Sequence, residues 1–71
     1  MKPDSVRITL NGEPFELEEG RTVSQLLTKV DIDARRVAVE HNFIVLKRAA
    51  FDTTFVREGD EVEIVNFVGG G

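Results

Sequence analysis

The sequence closes on Gly69-Gly70-Gly71, and that tail is where this chain could enter covalent chemistry. An extended residue adds at most about 3.3–3.6 Å, so the triplet can carry a terminal carboxylate about 10 Å beyond the last element. Lacking Cβ atoms, the glycines can thread a channel too narrow for side chains. An α-carboxylate has a reference pKa of about 3.3–3.7, so at neutral pH it is an anion that offers no leaving group. Conversion to an acyl adenylate with ATP would supply one. No nucleotide-binding loop occurs in the chain, so the ATP chemistry would belong to a partner enzyme and this chain would be the substrate. A frayed end is the competing reading, and taken alone a terminal glycine triplet fits it better.

Other residues with chemical potential are sparse. The chain has no cysteine, which excludes disulfides, thiolate metal sites and thiol chemistry. The single histidine, His41, reads as a turn residue rather than a base or ligand, because no neighbour in sequence completes a site. Asp31 and Asp33 are closely spaced carboxylates in a short connection without further ligands, so neither a calcium site nor any other metal site is expected. Arg35-Arg36 and Lys47-Arg48 read as solvated loop charges.

Thirteen acidic residues against nine basic ones give a formal net charge of -4, the wrong sign for neutralising phosphates, and nucleic-acid binding is not expected. Phe43-Ile44-Val45-Leu46 falls far short of the ~20 apolar residues that span a bilayer, and Met1-Lys2-Pro3-Asp4 leads into no signal-peptide core. A single cytoplasmic domain without membrane contact is expected. A chain of about 60 residues buries only roughly 60% of the surface its unfolded form exposes, so 71 residues leave no room for both a large core and a deep catalytic cleft.

The elements that must position the tail announce themselves by period. Val6, Ile8 and Leu10 alternate with Arg7 and Thr9, Asn11-Gly12 suits the positive φ of a type I′ turn, and Phe15 and Leu17 resume the alternation. Residues 5–18 therefore read as a β-hairpin, with Pro14 at the start of its second strand or on a sheet edge. Val23, Leu26, Leu27 and Val30 then fall at helical spacing, behind a capping box of Thr22 and Gln25, and predict a helix of eight or nine residues. Residues 31–36 read as a connection, and Val37 and Val39 begin a strand that turns at His41-Asn42 into a fourth from Phe43 to Leu46. Ala49 to Phe51 suit one helical turn, with Phe51 and Phe55 expected to close an end of the core. After the Glu58-Gly59-Asp60 turn, residues 61–67 are the strongest strand signal. The order predicts an α+β domain with one helix packed on one face of a mixed sheet and the other face open.

That last strand changes pattern partway. Val62 and Ile64 share one face, yet the register that carries Glu61 and Glu63 continues into Val65 and Phe67. Without a bulge, two apolar side chains stand on the solvent face beside the tail; with one, they turn to the core. In the first case Val65, Phe67 and the adjoining Val68 would form a partner-binding patch.

Together these residues resemble a known family. The Asn11-Gly12 hairpin, Thr22-Val23-Ser24-Gln25-Leu26-Leu27, Val37-Ala38-Val39-Glu40-His41-Asn42, Ile44-Val45, and Gly59 through Val65 running on to Gly69-Gly70-Gly71 are similar to the ThiS family of sulfur carriers in thiamine biosynthesis. The terminal Gly-Gly at this distance behind an acidic turn and an apolar strand is the most specific element, and it reverses the frayed-end reading. The resemblance implies a ubiquitin-like β-grasp fold of four to five strands over residues 1–68, followed by a flexible tail, 69–71. It implies that a ThiF-like adenylyltransferase activates Gly71 with ATP, that Gly69 and Gly70 thread its site, and that a donor such as a cysteine desulfurase supplies the sulfur of a thiocarboxylate. The thiazole synthase ThiG would consume that sulfur. The chain itself would be no enzyme and would bind no cofactor.

Two departures stand out: His41-Asn42-Phe43 occupies a turn where the family usually has Asn-Gly, and Leu46 stands where Pro is frequent. The first leaves the shape of that turn open. The rival readings are a MoaD-like small subunit of molybdopterin synthase, whose prolines before Gly-Gly are missing here, and a β-grasp interaction module with an inert tail.

Overall fold

The computed structural model describes residues 4–67. The chain runs through β1 (Ser5–Leu10), β2 (Glu13–Glu18), helix α1 (Val23–Lys29), a 3₁₀ turn at Ala34–Arg36, β3 (Val37–His41), β4 (Ile44–Leu46), a second 3₁₀ turn at Arg48–Ala50, and β5 (Glu61–Asn66). These strands form one sheet in the order β2-β1-β5-β3-β4. β5 lies at the centre, parallel to β1 and antiparallel to β3, which makes the sheet mixed. Pro14 lies on the edge strand β2, where a missing N–H costs the sheet little.

Both hairpins are closed by two residues at positive φ, as a type I′ turn requires. Asn11 and Gly12 adopt φ 50° and 81°, and Asn42 and Phe43 adopt φ 52° and 71°. The second hairpin therefore takes the turn that asparagine-glycine would take, with Phe43 inside the turn rather than in the strand. A bulky residue in the left-handed region costs about 1–2 kcal/mol, so something else must hold this turn.

Helix α1 is seven residues long, slightly shorter than its pattern predicts. Its start is as expected: Gln25 N–H donates to Thr22 Oγ1 at 3.2 Å, and Thr22 N–H donates to Gln25 Oε1 at 2.8 Å. In a helix this short the cap carries a large share of the end's stability. Thr22→Ala should lower unfolding free energy by about 0.5–2 kcal/mol. A urea midpoint and slope equal to the wild type's would contradict it.

The helix lays Val23, Leu26 and Leu27 on the face of the sheet that presents Val6, Ile8, Leu17, Val37, Val39, Val62 and Ile64. Phe51 and Val56 close the core from the loop between β4 and β5. Here one expectation fails. Phe55 is 47% exposed, while its neighbour Val56 is 1% exposed. The segment passes the helix start in an isolated bridge between Phe55 and Thr22, and Val56 N–H donates to Arg21 O at 2.9 Å. In extended chain successive side chains point to opposite sides, so burying Val56 turns Phe55 outward.

Arg35 and Arg36 lie on an exposed turn, where Asp33 accepts from the Arg35 N–H and caps the 3₁₀ segment. The guanidinium of Arg35 holds the Asp33 carboxyl down at about 2.

Candidate functional site

β5 delivers the chain to its tail, and three groups of contacts fix it. On one side Asn11 acts as an extra rung of the sheet: Ile64 N–H donates to Asn11 Oδ1 at 2.6 Å and Asn11 Nδ2 donates to Ile64 O at 3.2 Å. On the other side the β3 pairing runs without interruption from His41 opposite Val62 to Val37 opposite Asn66. At its end Phe67 N–H donates to Arg36 O at 3.0 Å. The chain thus leaves the sheet at a defined place and direction.

The unbroken register excludes a bulge, so the phase change in the sequence is real. Val62 and Ile64 are buried under the helix, while Val65 and Phe67 are 52% and 55% exposed on the opposite face. Val65 sits directly across from Ala38. Apolar side chains therefore flank the point where the tail departs. Val68, Gly69, Gly70 and Gly71 lie outside the described residues, and so does everything predicted for them.

The start of β5 is held by a polar cluster that sequence spacing did not reveal. The Asp60 carboxylate accepts from Arg57 N–H at 2.9 Å and Asn42 Nδ2 at 3.1 Å, and meets His41 Nε2 at 2.7 Å. Asn42 also exchanges bonds with Glu61, donating its N–H to Glu61 O at 2.7 Å and accepting from Glu61 N–H at 2.9 Å. These bonds lock the strained Asn42-Phe43 turn onto β5. His41 thus closes β3, as a turn-side residue would, and has a structural partner 19 positions away.

Burial pushes the Asp60 pKa up, but hydrogen bonds from His41, the Arg57 backbone and Asn42 outweigh it and hold the carboxyl below its ordinary value. A carboxyl with a depressed folded pKa stabilises the fold fully above its unfolded value of about 3.9, and that stability is lost as pH falls through the lower folded value. Asp60→Asn should therefore be less stable than wild type near neutral pH, and the gap between their urea midpoints should close below about pH 4. A gap that is constant with pH would contradict the assignment.

No group of carboxylate or imidazole side chains among the described residues is placed to hold a metal ion. No described helix is long and apolar enough to cross a membrane. What the arrangement offers is a rigid central strand that presents an apolar patch and then a glycine tail.

Comparison with known proteins bears on that arrangement. The ThiS family model matches residues 8–71. The crystal structure of the thiamine biosynthesis protein ThiS from Geobacter metallireducens is 41% identical, superposes with a TM-score of 0.77, and is covered completely by 93% of this chain. The uncharacterized protein ycf40 of Porphyra purpurea is 37% identical over 94% of both chains. A thiazole synthase of Magnetococcus marinus is 39% identical over 93% of this chain, which spans only 20% of that larger protein. The five-stranded mixed sheet, the single α-helix among the described residues and the family match through the glycine tail make this chain a member of the ThiS family of ubiquitin-like β-grasp sulfur carriers in thiamine biosynthesis.

Proposed function

We propose that this chain carries sulfur on the carboxylate of Gly71 for formation of the thiazole ring. A carboxylate oxygen of Gly71 attacks the α-phosphorus of ATP within a ThiF-like adenylyltransferase, pyrophosphate leaves, and an acyl adenylate remains. Persulfide sulfur from a donor such as a cysteine desulfurase then attacks the acyl carbon and expels AMP, and a cysteine thiolate of the partner machinery attacks the donor-side sulfur of the resulting acyl disulfide, forming a new disulfide and releasing the thiocarboxylate. Thiazole synthase takes the sulfur from there. All of this is cytoplasmic chemistry in which the chain acts as substrate and binds no cofactor of its own.

The observation that carries the reading is that the family match extends through Gly71, directly behind a strand whose end is pinned and apolar. Glycines supply the reach and slenderness that a confined active site demands. Similarity to part of a thiazole synthase favours that enzyme as the acceptor over molybdopterin synthase. Incubation with ATP and the adenylyltransferase should yield AMP-linked protein, and the gene should rescue a thiamine auxotroph but not a molybdopterin auxotroph. Failure to form the adduct would defeat the carrier reading, and the reverse rescue would favour the MoaD-like alternative.

Val65, Phe67 and Val68 form the docking patch in this reading. Phe67→Glu should leave the circular dichroism spectrum intact and weaken binding to the adenylyltransferase by more than about 1 kcal/mol, as loss of an interface anchor does. Unchanged affinity would remove Phe67 from the interface.

A further inference from the structure

The open sheet face has a second zone at the opposite end of β5 from the tail. Glu40 on β3 stands directly across from Glu63 on β5, and Glu61 lies two residues back on the same face. Like charges directly opposite each other destabilise a sheet. Among the described residues no Lys or Arg forms an ion pair with any of the three; the ion pairs there engage Glu18, Asp33 and Asp60. Phe43 stands beside them, 78% exposed, and with Thr9 and Gly12 it borders a shallow depression that contains Glu40, Glu61 and Glu63. Val45, 67% exposed, continues the apolar surface across β4 next to Glu40.

We infer that this end of the sheet face docks a cationic protein surface, with an arginine or lysine side chain of the partner seated between the Phe43 ring and the carboxylates of Glu40, Glu61 and Glu63. Charge complementarity selects the occupant. A second copy of this chain would set the same carboxylates against each other, and an anionic lipid or nucleic-acid surface would be repelled. No described group of three such side chains is placed to hold a metal ion. A guanidinium satisfies both halves of the site, because it accepts bidentate pairing with carboxylates and stacks on an aromatic face. At about 3.3 Å per residue, Glu63 and Glu61 lie about 13 Å and about 20 Å from Phe67 at the tail exit. Two contacts that far apart fix a partner's orientation, whereas the tail patch alone leaves it free to pivot.

The choice of partner rests on the carrier reading, and the probe is the thiazole synthase of the same organism. Binding is measured by titration at low and high sodium chloride for wild type, for the triple variant E40Q/E61Q/E63Q, for Phe43→Gly, and for Glu19→Gln as a control that removes a carboxylate outside this zone. The triple variant should bind about tenfold more weakly at low salt and lose most of its salt dependence, as expected when complementary charges set the encounter. Phe43→Gly should also weaken binding, yet its melting temperature should equal or exceed that of wild type, because glycine relieves the positive φ. Glu19→Gln should behave as wild type. The inference is overturned if wild type does not bind the synthase, if its affinity is insensitive to salt, or if the triple variant binds as wild type does. Adenylation of Gly71 reads out separately, so loss of the carrier reading and loss of this docking surface give different results.

Discussion

Appending a single residue after Gly71 should abolish thiocarboxylate formation while leaving the melting temperature of the domain unchanged. Adenylation needs a free carboxylate carried into a confined site, and an added residue moves that carboxylate by about 3.3–3.6 Å while introducing a side chain. A misplacement of even ~1 Å can cost a reaction ~10²-fold, so the loss should be near complete. Removing Gly70-Gly71 should act in the same way by shortening the reach. Gly70→Val widens the threading segment and restricts its φ and ψ, so it should also fail. Stability should not follow activity, because glycines bring no side chains to the core. The readouts are AMP release and sulfur incorporation for activity, and thermal unfolding for stability. An extended protein that gains sulfur at the wild-type rate without being trimmed would show that Gly71 is not the reactive end.

Leu26→Ala should have the largest effect on the fold. Leu26 is completely buried at the centre of the only α-helix among the described residues, in the core cluster that also holds side chains of the sheet. Truncating a buried leucine costs about 2–5 kcal/mol through lost transfer energy and the cavity left behind. At about 0.05–0.15 kcal/mol per residue, a chain of 71 residues has a total stability of only about 4–11 kcal/mol. The variant should therefore lose a large share of its stability, and at temperatures where it unfolds and wild type does not, sulfur incorporation should fall with the folded fraction. A urea midpoint within error of wild type would mean that the helix is not seated as described.

The contrast between these two variants reflects what the sequence disclosed. Local devices were legible because their signals are local. Asn11-Gly12 specifies a two-residue turn, Thr22 and Gln25 specify a helix start, and the switch from Glu61 and Glu63 to Val65 and Phe67 narrows those two side chains to an outward or a core-facing placement. The last of these needed the structure to exclude a bulge, which the continuous pairing with β3 does. The segment from Lys47 to Phe55 was illegible for a physical reason: a 3₁₀ turn and irregular chain have no fixed period. Hydrophobicity alone therefore points Phe55 to the core, and Val56 takes that place.

The Asp60 cluster was hidden for another reason. His41 and Asn42 are brought to Asp60 by the antiparallel pairing of β3 with β5, across 19 and 18 residues, and nothing in the local sequence encodes that pairing. Its consequence is that Phe43 is held in a turn that favours glycine. A strained, exposed aromatic persists only where surrounding bonds overdetermine the backbone, as they do here.

The central claim is that sulfur rides on the main-chain carboxyl of Gly71, and fragment-ion mass spectrometry tests it most directly. Wild-type protein incubated with ATP, the adenylyltransferase and a sulfur source would be digested, and its C-terminal peptide fragmented. The account predicts that one oxygen is exchanged for one sulfur and that the added mass is confined to the fragment containing Gly71. Sulfur found on any other residue, or a C-terminal peptide whose mass stays unchanged while the protein is active, would contradict it.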